Sequence, residues 1–98
     1  MEVNGILKEK LNERNGVGRS GTPWKMADYL MEIPGFYPKH IVFTVSDGER
    51  GRFAMFDALI GKDATVHFNI EAREHEGRWF NSILAYAAYP MAQQQPPQ

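Results

Sequence analysis

The feature of this sequence that most constrains its fold is a strict alternation of apolar and polar residues over residues 65–73. The apolar positions are Val66, Phe68, Ile70 and Ala72, and the polar positions are Thr65, His67, Asn69, Glu71 and Arg73. A period of two is typical of a half-buried β-strand, whereas an amphipathic helix repeats every three to four residues. The chain is therefore predicted to contain a sheet with one face on a core.

Four further segments have strand character. Residues 2–11 alternate apolar and polar side chains, and residues 78–89 are rich in aromatic and β-branched residues. Residues 24–33 and 39–46 flank a tight turn at 34–38, which has a proline at each end. The sequence thus predicts five strands, of which the second and third form a hairpin.

Two connections differ from simple turns. Residues 12–23 are dense in Gly, Asn and Ser, which predicts a long mobile loop after the first strand. Between the third and fourth strands, Phe53, Phe56 and Ile60 recur at helical spacing and are followed by Gly61, a residue favoured after a helix C-terminus. One short helix is therefore predicted there.

This order of elements predicts an all-β, five-stranded OB-fold barrel with one short helix between strands 3 and 4. An SH3-like barrel, which has no such helix, is the second choice, and a β-sandwich needs about seven strands. The domain is expected to span residues 1–89, and the Gln- and Pro-rich residues 90–98 are expected to form a disordered tail. The side chains expected to be almost fully buried are Phe43, Phe56, Phe68 and Ile70.

Composition narrows the class of function. The 98 residues suffice for one core, and the absence of cysteine excludes disulfides, thiol chemistry and cysteine-bound zinc. No segment has the pattern of a signal peptide or a membrane span, so a cytoplasmic location is expected. With a net charge of −1, affinity for nucleic acid must rest on a local basic stripe and be sensitive to salt.

Three stretches are familiar as sequence motifs: GVGRSGTPWKM at 16–26, PGFYPKHIVFTV at 34–45 and VHFNIEAREHEGRWF at 66–80. Together they resemble a family of small bacterial and phage OB-fold proteins that is catalogued as a domain of unknown function and is similar to single-stranded DNA-binding proteins. The resemblance covers the chain except its tail. The last strand, ILAYAAY, is more apolar than in that family, which implies a homo-oligomer formed through strand five.

Aromatic and basic residues are interleaved in the first loop, at the turn between strands two and three, and at the turn between strands four and five. Proteins bind single strands by stacking bases on aromatic rings and following the phosphates with Lys or Arg. The first and last of these loops border the binding cleft of OB-folds. The predicted nucleic-acid-binding residues are Arg19, Trp24, Lys25, Tyr37, Lys39, Arg73, Arg78 and Trp79.

Each of these residues also has a purely structural interpretation. Both tryptophans can close the barrel as core or rim residues, and Arg73 and Arg78 can pair with Glu74 or Glu76 across their turn. Asp28 and Glu32 are expected on the same face of strand two as Trp24, where carboxylates repel phosphate.

Other chemistry is poorly supported. His67 and Glu71 lie about 13 Å apart along an extended strand, too far to share one metal ion. The glycines at 16, 18 and 21 precede a strand rather than a helix, so the phosphate-binding loop patterns do not apply. No cofactor, metal or catalytic residue is expected.

The sequence therefore predicts a non-catalytic protein that binds single-stranded nucleic acid, with DNA favoured over RNA. The alternative is a protein–protein interaction or scaffold module, because OB-folds host unrelated functions.

Overall fold

A computed structural model describes residues 1–48 and 51–91 and shows a closed barrel in the strand order β1-β2-β3-β5-β4. The elements are β1 (Glu2–Val17), β2 (Pro23–Ile33), β3 (Lys39–Ser46), α1 (Arg52–Asp57), β4 (Asp63–His75) and β5 (Arg78–Pro90). Within these residues β3 and β5 pair in parallel, and the other strand pairs are antiparallel. The predicted OB-fold, with one short helix between the third and fourth strands, is confirmed. Of the predicted tail, residues 92–98 lie outside the described residues.

An aromatic cluster fills the barrel. Tyr29 of β2, Phe43 of β3 and Phe56 of α1 are buried, and their ring centroids lie 5.5 to 6.0 Å apart. Burial of a large apolar side chain contributes about 1.5–3 kcal/mol, so these rings supply much of the stability. The predicted burial of Phe43 and Phe56 is confirmed, and Phe68 of β4 is 9 % exposed.

The predicted burial of Ile70 is wrong, because its side chain is 48 % exposed. Beside β4, β1 pairs only as far as Glu2 opposite His67, and the backbone of Met1 then bonds to Phe68. Beyond that point β4 and β5 continue as a two-stranded ribbon, the β4–β5 arm (residues 70–83), with no third strand among the described residues. The alternation assigned Ile70 to the same face of β4 as the buried residues, but at this position that face no longer packs against the barrel core.

The first strand is longer than predicted. It does not end at residue 11 but continues to Val17, which pairs with Pro23, so the connecting loop covers only residues 18–22. Two register shifts in β1, after Leu7 and after Lys10, interrupt the alternation. This outer part of the hairpin, the β1–β2 arm (residues 13–17 and 23–27 with loop 18–22), is mostly exposed and polar, which is why its sequence resembles a loop although its backbone is paired.

The helix is shorter than predicted. It ends at Asp57, and the turn that follows buries Leu59 and leaves Ile60 exposed. Gly61 has a φ of 87°, a conformation that favours glycine, and its N–H donates to the carbonyl of Leu7. In the described part of the chain, no helix is long and apolar enough to cross a membrane.

The carboxylate of Asp57 joins the end of the helix to the core. The Tyr29 hydroxyl donates to Asp57 Oδ1 at 2.7 Å, and Lys10 Nζ lies 3.4 Å from the other oxygen of that carboxylate. Burial, reinforced by the Asp57 carboxylate, raises the pKa of the Tyr29 phenol. The neutral phenol is therefore the form that the fold stabilises.

Replacing Tyr29 by phenylalanine should lower the free energy of unfolding by about 1 kcal/mol at neutral pH, the usual net value of a hydrogen bond. Because the folded-state pKa lies above the ordinary value of 10.0, the advantage of tyrosine should be complete below pH 10 and decline above it. Urea denaturation of both proteins between neutral and alkaline pH measures this. A difference that stays constant through alkaline pH would contradict the assignment.

Candidate nucleic-acid interface

Trp24 lies on the β1–β2 arm, directly opposite Gly16 of β1. A Cβ atom built on Gly16 would lie 2.6 Å from Cζ2 of the indole, so the ring rests against the glycine backbone. The side chain nevertheless remains 41 % exposed. An aromatic ring that is supported on one side and open to solvent is suited to stacking on a base.

The neighbours of Trp24 differ from those that the sequence suggested. Strand alternation places Trp24 on the outer face of the arm and Lys25 on the opposite face. Both residues still border one surface pocket of about 400 Å³. The pocket is lined by Thr22, Pro23, Trp24, Lys25, Asp47 and Gly48. Arg19 is exposed in the adjoining loop, so the three predicted contacts lie at one end of the barrel.

The carboxylate of Asp28, on the same face of β2 as Trp24, is already paired. Arg14 donates to it at 3.0 Å and the Thr44 hydroxyl at 2.8 Å. Partial burial opposes ionisation, but these hydrogen bonds outweigh it and lower the pKa of Asp28. Asp28 therefore offsets the charge of Arg14, and the repulsion of phosphate expected from the sequence is reduced there. Glu32 lies 3.4 Å from His40 Nε2.

The turn between β2 and β3 displays two aromatic side chains. Phe36 and Tyr37 are 90 % and 78 % exposed, and their rings meet edge to face with centroids 4.9 Å apart. Lys39, the first residue of β3, is exposed beside them. This pair contributes nothing to the core and is available for contact with a ligand.

The β4–β5 arm ends in a two-residue turn of Glu76 and Gly77, whose φ values are 51° and 80°. Positive φ at both positions is typical of a type I′ turn, which matches the twist of a hairpin. The turn fixes the register, with Glu74 opposite Trp79 and Arg73 opposite Phe80. Residues that pair directly point to the same face of the ribbon.

This register separates Trp79 from the two arginines. Trp79 is 69 % exposed on the inner face of the arm, which also carries the Ile70–Ile83 pair and continues the core side of the barrel. Arg73 and Arg78 lie on the other side, the outer face. The aromatic residue beside them is Phe80, whose ring centroid lies 5.6 Å from the Arg78 guanidinium carbon.

Phe80 was not selected from the sequence, although the signal was present. Arg78 and Phe80 are two residues apart in a strand and therefore share a face, while Trp79 between them does not. Among the described residues, the Glu76 carboxylate lies 3.9 Å from His75 Nε2, and neither arginine forms a salt bridge with Glu74 or Glu76. The predicted exposure of Trp24 and Trp79 is confirmed, and their contact with bases remains a prediction.

The candidate contacts form two groups. Because β3 and β5 run parallel, the turn at 34–38 and the β4–β5 arm lie toward one end of the barrel, and loop 18–22 lies toward the other. The first group is Tyr37, Lys39, Arg73, Arg78 and Trp79, and the second is Arg19, Trp24 and Lys25. With about 3.3 Å per strand residue, Trp24 and Lys39 are separated by roughly 30 Å along β2 and β3.

Metal-ligating side chains do not cluster in this region. Within residues 1–48 and 51–91, no group of three or more His, Asp or Glu residues could hold an ion.

Comparison with known proteins identifies a family and solved structures of similar fold. The family model described as "Domain of unknown function (DUF3127)" matches residues 2–88. The dimeric structure of the N-terminal domain of PriB protein from Thermoanaerobacter tencongensis aligns with a TM-score of 0.56 and 12 % identity over 91 % of each chain, a likeness of fold alone. No curated protein matches the sequence. These findings agree with the resemblance to small OB-fold proteins of unknown function.

Proposed function

This chain belongs to the family described as Domain of unknown function (DUF3127), and we propose that it is a non-catalytic module that binds single-stranded nucleic acid, with DNA preferred. The observation that carries the proposal is the placement of two exposed tryptophans, Trp24 and Trp79, on arms that project from opposite ends of the β2–β3–β5 surface. OB-folds bind oligonucleotides on the face of strands two and three and on the loops that border it.

Different side chains of this surface would provide base stacking and phosphate contact. Trp24, Tyr37 and Trp79 offer exposed rings, and every base has a face that can stack on such a ring. Arg19 and Lys25 lie in the same region as Trp24, and Lys39 lies beside Tyr37, while Arg73 and Arg78 lie on the opposite face of the arm from Trp79. The residues proposed to contact the strand are Arg19, Trp24, Lys25, Tyr37, Lys39, Arg73, Arg78 and Trp79.

Weak sequence preference follows from the same features. Stacking does not discriminate strongly between bases, and phosphate contacts carry no sequence information. The distance of roughly 30 Å between the two groups suits the 4–16 nucleotides that one OB-fold covers. Because the net charge is −1, affinity should be modest and fall with added salt.

We also propose that β5 mediates self-association. Tyr86 and Tyr89 are partly exposed on β5, and the His67 ring lies 5.6 Å from that of Tyr89. This aromatic patch belongs to the barrel rather than to the arms. The similar PriB domain is described as dimeric. Sedimentation equilibrium should show a dimer that the double substitution Y86S/Y89S dissociates, and a monomeric wild-type protein would refute it.

A titration tests the proposed function. Fluorescein-labelled dT and rU oligomers are mixed with the protein at low salt, and anisotropy and tryptophan fluorescence are followed. We expect saturable binding with quenching, tighter for dT, and a slope of log K against log salt of about −0.7 for each phosphate contacted. A duplex of equal length is the control. Absence of binding to either oligomer would refute the proposal and favour a protein-interaction module.

A further inference from the structure

The outer face of the β4–β5 arm carries an aromatic side chain, Phe80, that the binding surface described above does not include. Phe80 is 47 % exposed there, with Arg73 directly opposite it on β4 and Arg78 two residues before it on β5. The Arg78 guanidinium carbon lies 5.6 Å from the centroid of the Phe80 ring. An aromatic ring between two cations is the arrangement that binds single strands elsewhere.

The charges on this face favour an anion. Besides the two arginines, it carries Glu71, which stands opposite Ser82, and His75, which stands opposite Arg78. The carboxylate of Glu76 at the turn lies 3.9 Å from His75 Nε2. The positive charges are therefore nearest to Phe80, and the carboxylates lie toward the ends of the cluster.

A route connects this cluster to Trp79. The β5 strand pairs with β3 only at Leu84 and Ala85, so in the described residues the edge of β5 from residue 78 to 83 has no neighbouring strand on that side. Trp79 and Phe80 are consecutive, with Cα atoms about 3.8 Å apart, and they point to opposite faces. A single-stranded nucleic acid that crosses this edge of β5 passes from the Trp79 ring to the Phe80 ring.

Resting on the proposed function, we propose that Phe80, Arg73 and Arg78 form a second binding site for single-stranded nucleic acid, on the back of the arm. The nucleic acid that stacks on Trp79 continues round the unpaired edge of β5 and stacks on Phe80. Arg73 and Arg78 contact its phosphates there. Short oligomers stack on Trp79 without reaching Phe80, and longer ones contact both faces of the β4–β5 arm.

Oligomer length separates the two sites. Binding of dT oligomers of about 8 and about 30 nucleotides is compared, the first within the range of one OB-fold site and the second well beyond it. Phe80→Ala should weaken binding of the long oligomer roughly fivefold or more, the loss of one stacked base, and should leave the short one within twofold. Trp79→Ala should weaken both.

Two further variants test whether an effect of Phe80→Ala reflects lost stacking rather than misfolding, and whether Arg78 contacts a phosphate. Phe80→Trp should restore or strengthen binding of the long oligomer, since a larger ring stacks at least as well. Arg78→Gln should reduce the salt slope for the long oligomer by roughly 0.7. Equal affinity of wild type and Phe80→Ala for the long oligomer would overturn this inference while leaving the proposed function intact. Failure of the wild-type protein to bind either length would instead remove the proposed function.

Discussion

Replacing Trp24 or Trp79 by alanine should weaken binding of a dT oligomer by about 1 to 3 kcal/mol, roughly 5- to 150-fold, for each base that loses its stacking partner. Both side chains are exposed on arms outside the barrel core. The free energy of unfolding should therefore change much less than the free energy of binding. Anisotropy titrations at fixed low salt measure the first effect, and urea denaturation measures the second.

The support beneath Trp24 provides a matched pair of variants. Gly16→Ala places a methyl group 2.6 Å from the present position of the indole Cζ2, so the ring must move while remaining in the protein. Gly18→Ala places its methyl group 3.5 Å from the nearest atom, the Thr22 carbonyl oxygen, an ordinary contact. We expect the first variant to bind more weakly and the second to bind normally.

These variants distinguish a stacking role from a structural one. If Trp24 only covers the glycine backbone, its loss should lower stability and leave the affinity of the folded fraction unchanged. For Trp79, an alanine variant that unfolds rather than losing affinity would assign that residue to the fold.

Replacing Phe56 by alanine should have the largest effect on stability, a loss of about 3–5 kcal/mol. Its side chain is fully buried, and its ring lies 5.5 Å from that of Tyr29 and 5.7 Å from that of Phe43. The substitution leaves a cavity between three elements of a tightly packed barrel. Since domains of this size are stable by only about 5–15 kcal/mol, much of the protein's stability should be lost.

Phe36→Ala is the control for this prediction, since it removes the same atoms from a side chain that is 90 % exposed. Its free energy of unfolding should stay within about 0.5 kcal/mol of the wild-type value. Guanidinium denaturation followed by circular dichroism compares the two variants. Similar losses in both would mean that Phe56 does not anchor the helix to the core.

The type and order of the elements were determined by local sequence. The alternation from Val66 to Ala72, the two prolines that bound the turn at 34–38, and the helical spacing of Phe53 and Phe56 each act over a few residues. Such patterns depend on which face of an element meets the core. For that reason the five strands, the helix and the burial of Phe43 and Phe56 were predictable.

The candidate site was predictable in composition but not in geometry. Aromatic and basic residues at exposed turns mark a binding surface because they are poor choices for a core. Sequence proximity nevertheless grouped Trp79 with Arg78, whereas the strand pleat places them on opposite faces and puts Phe80 beside the arginine. The register set by the turn at Glu76 and Gly77 decides this pairing.

The extent of the barrel was decided only by the tertiary structure. Ile70 has the pattern of a core residue, but it lies beyond the last residue of β4 that pairs with the first strand. Conversely, residues 12–17 have the composition of a loop, yet their backbone pairs with β2 after two register shifts. Alternation specifies which way a side chain points. Whether another strand lies there depends on residues distant in the chain, so local sequence cannot specify it.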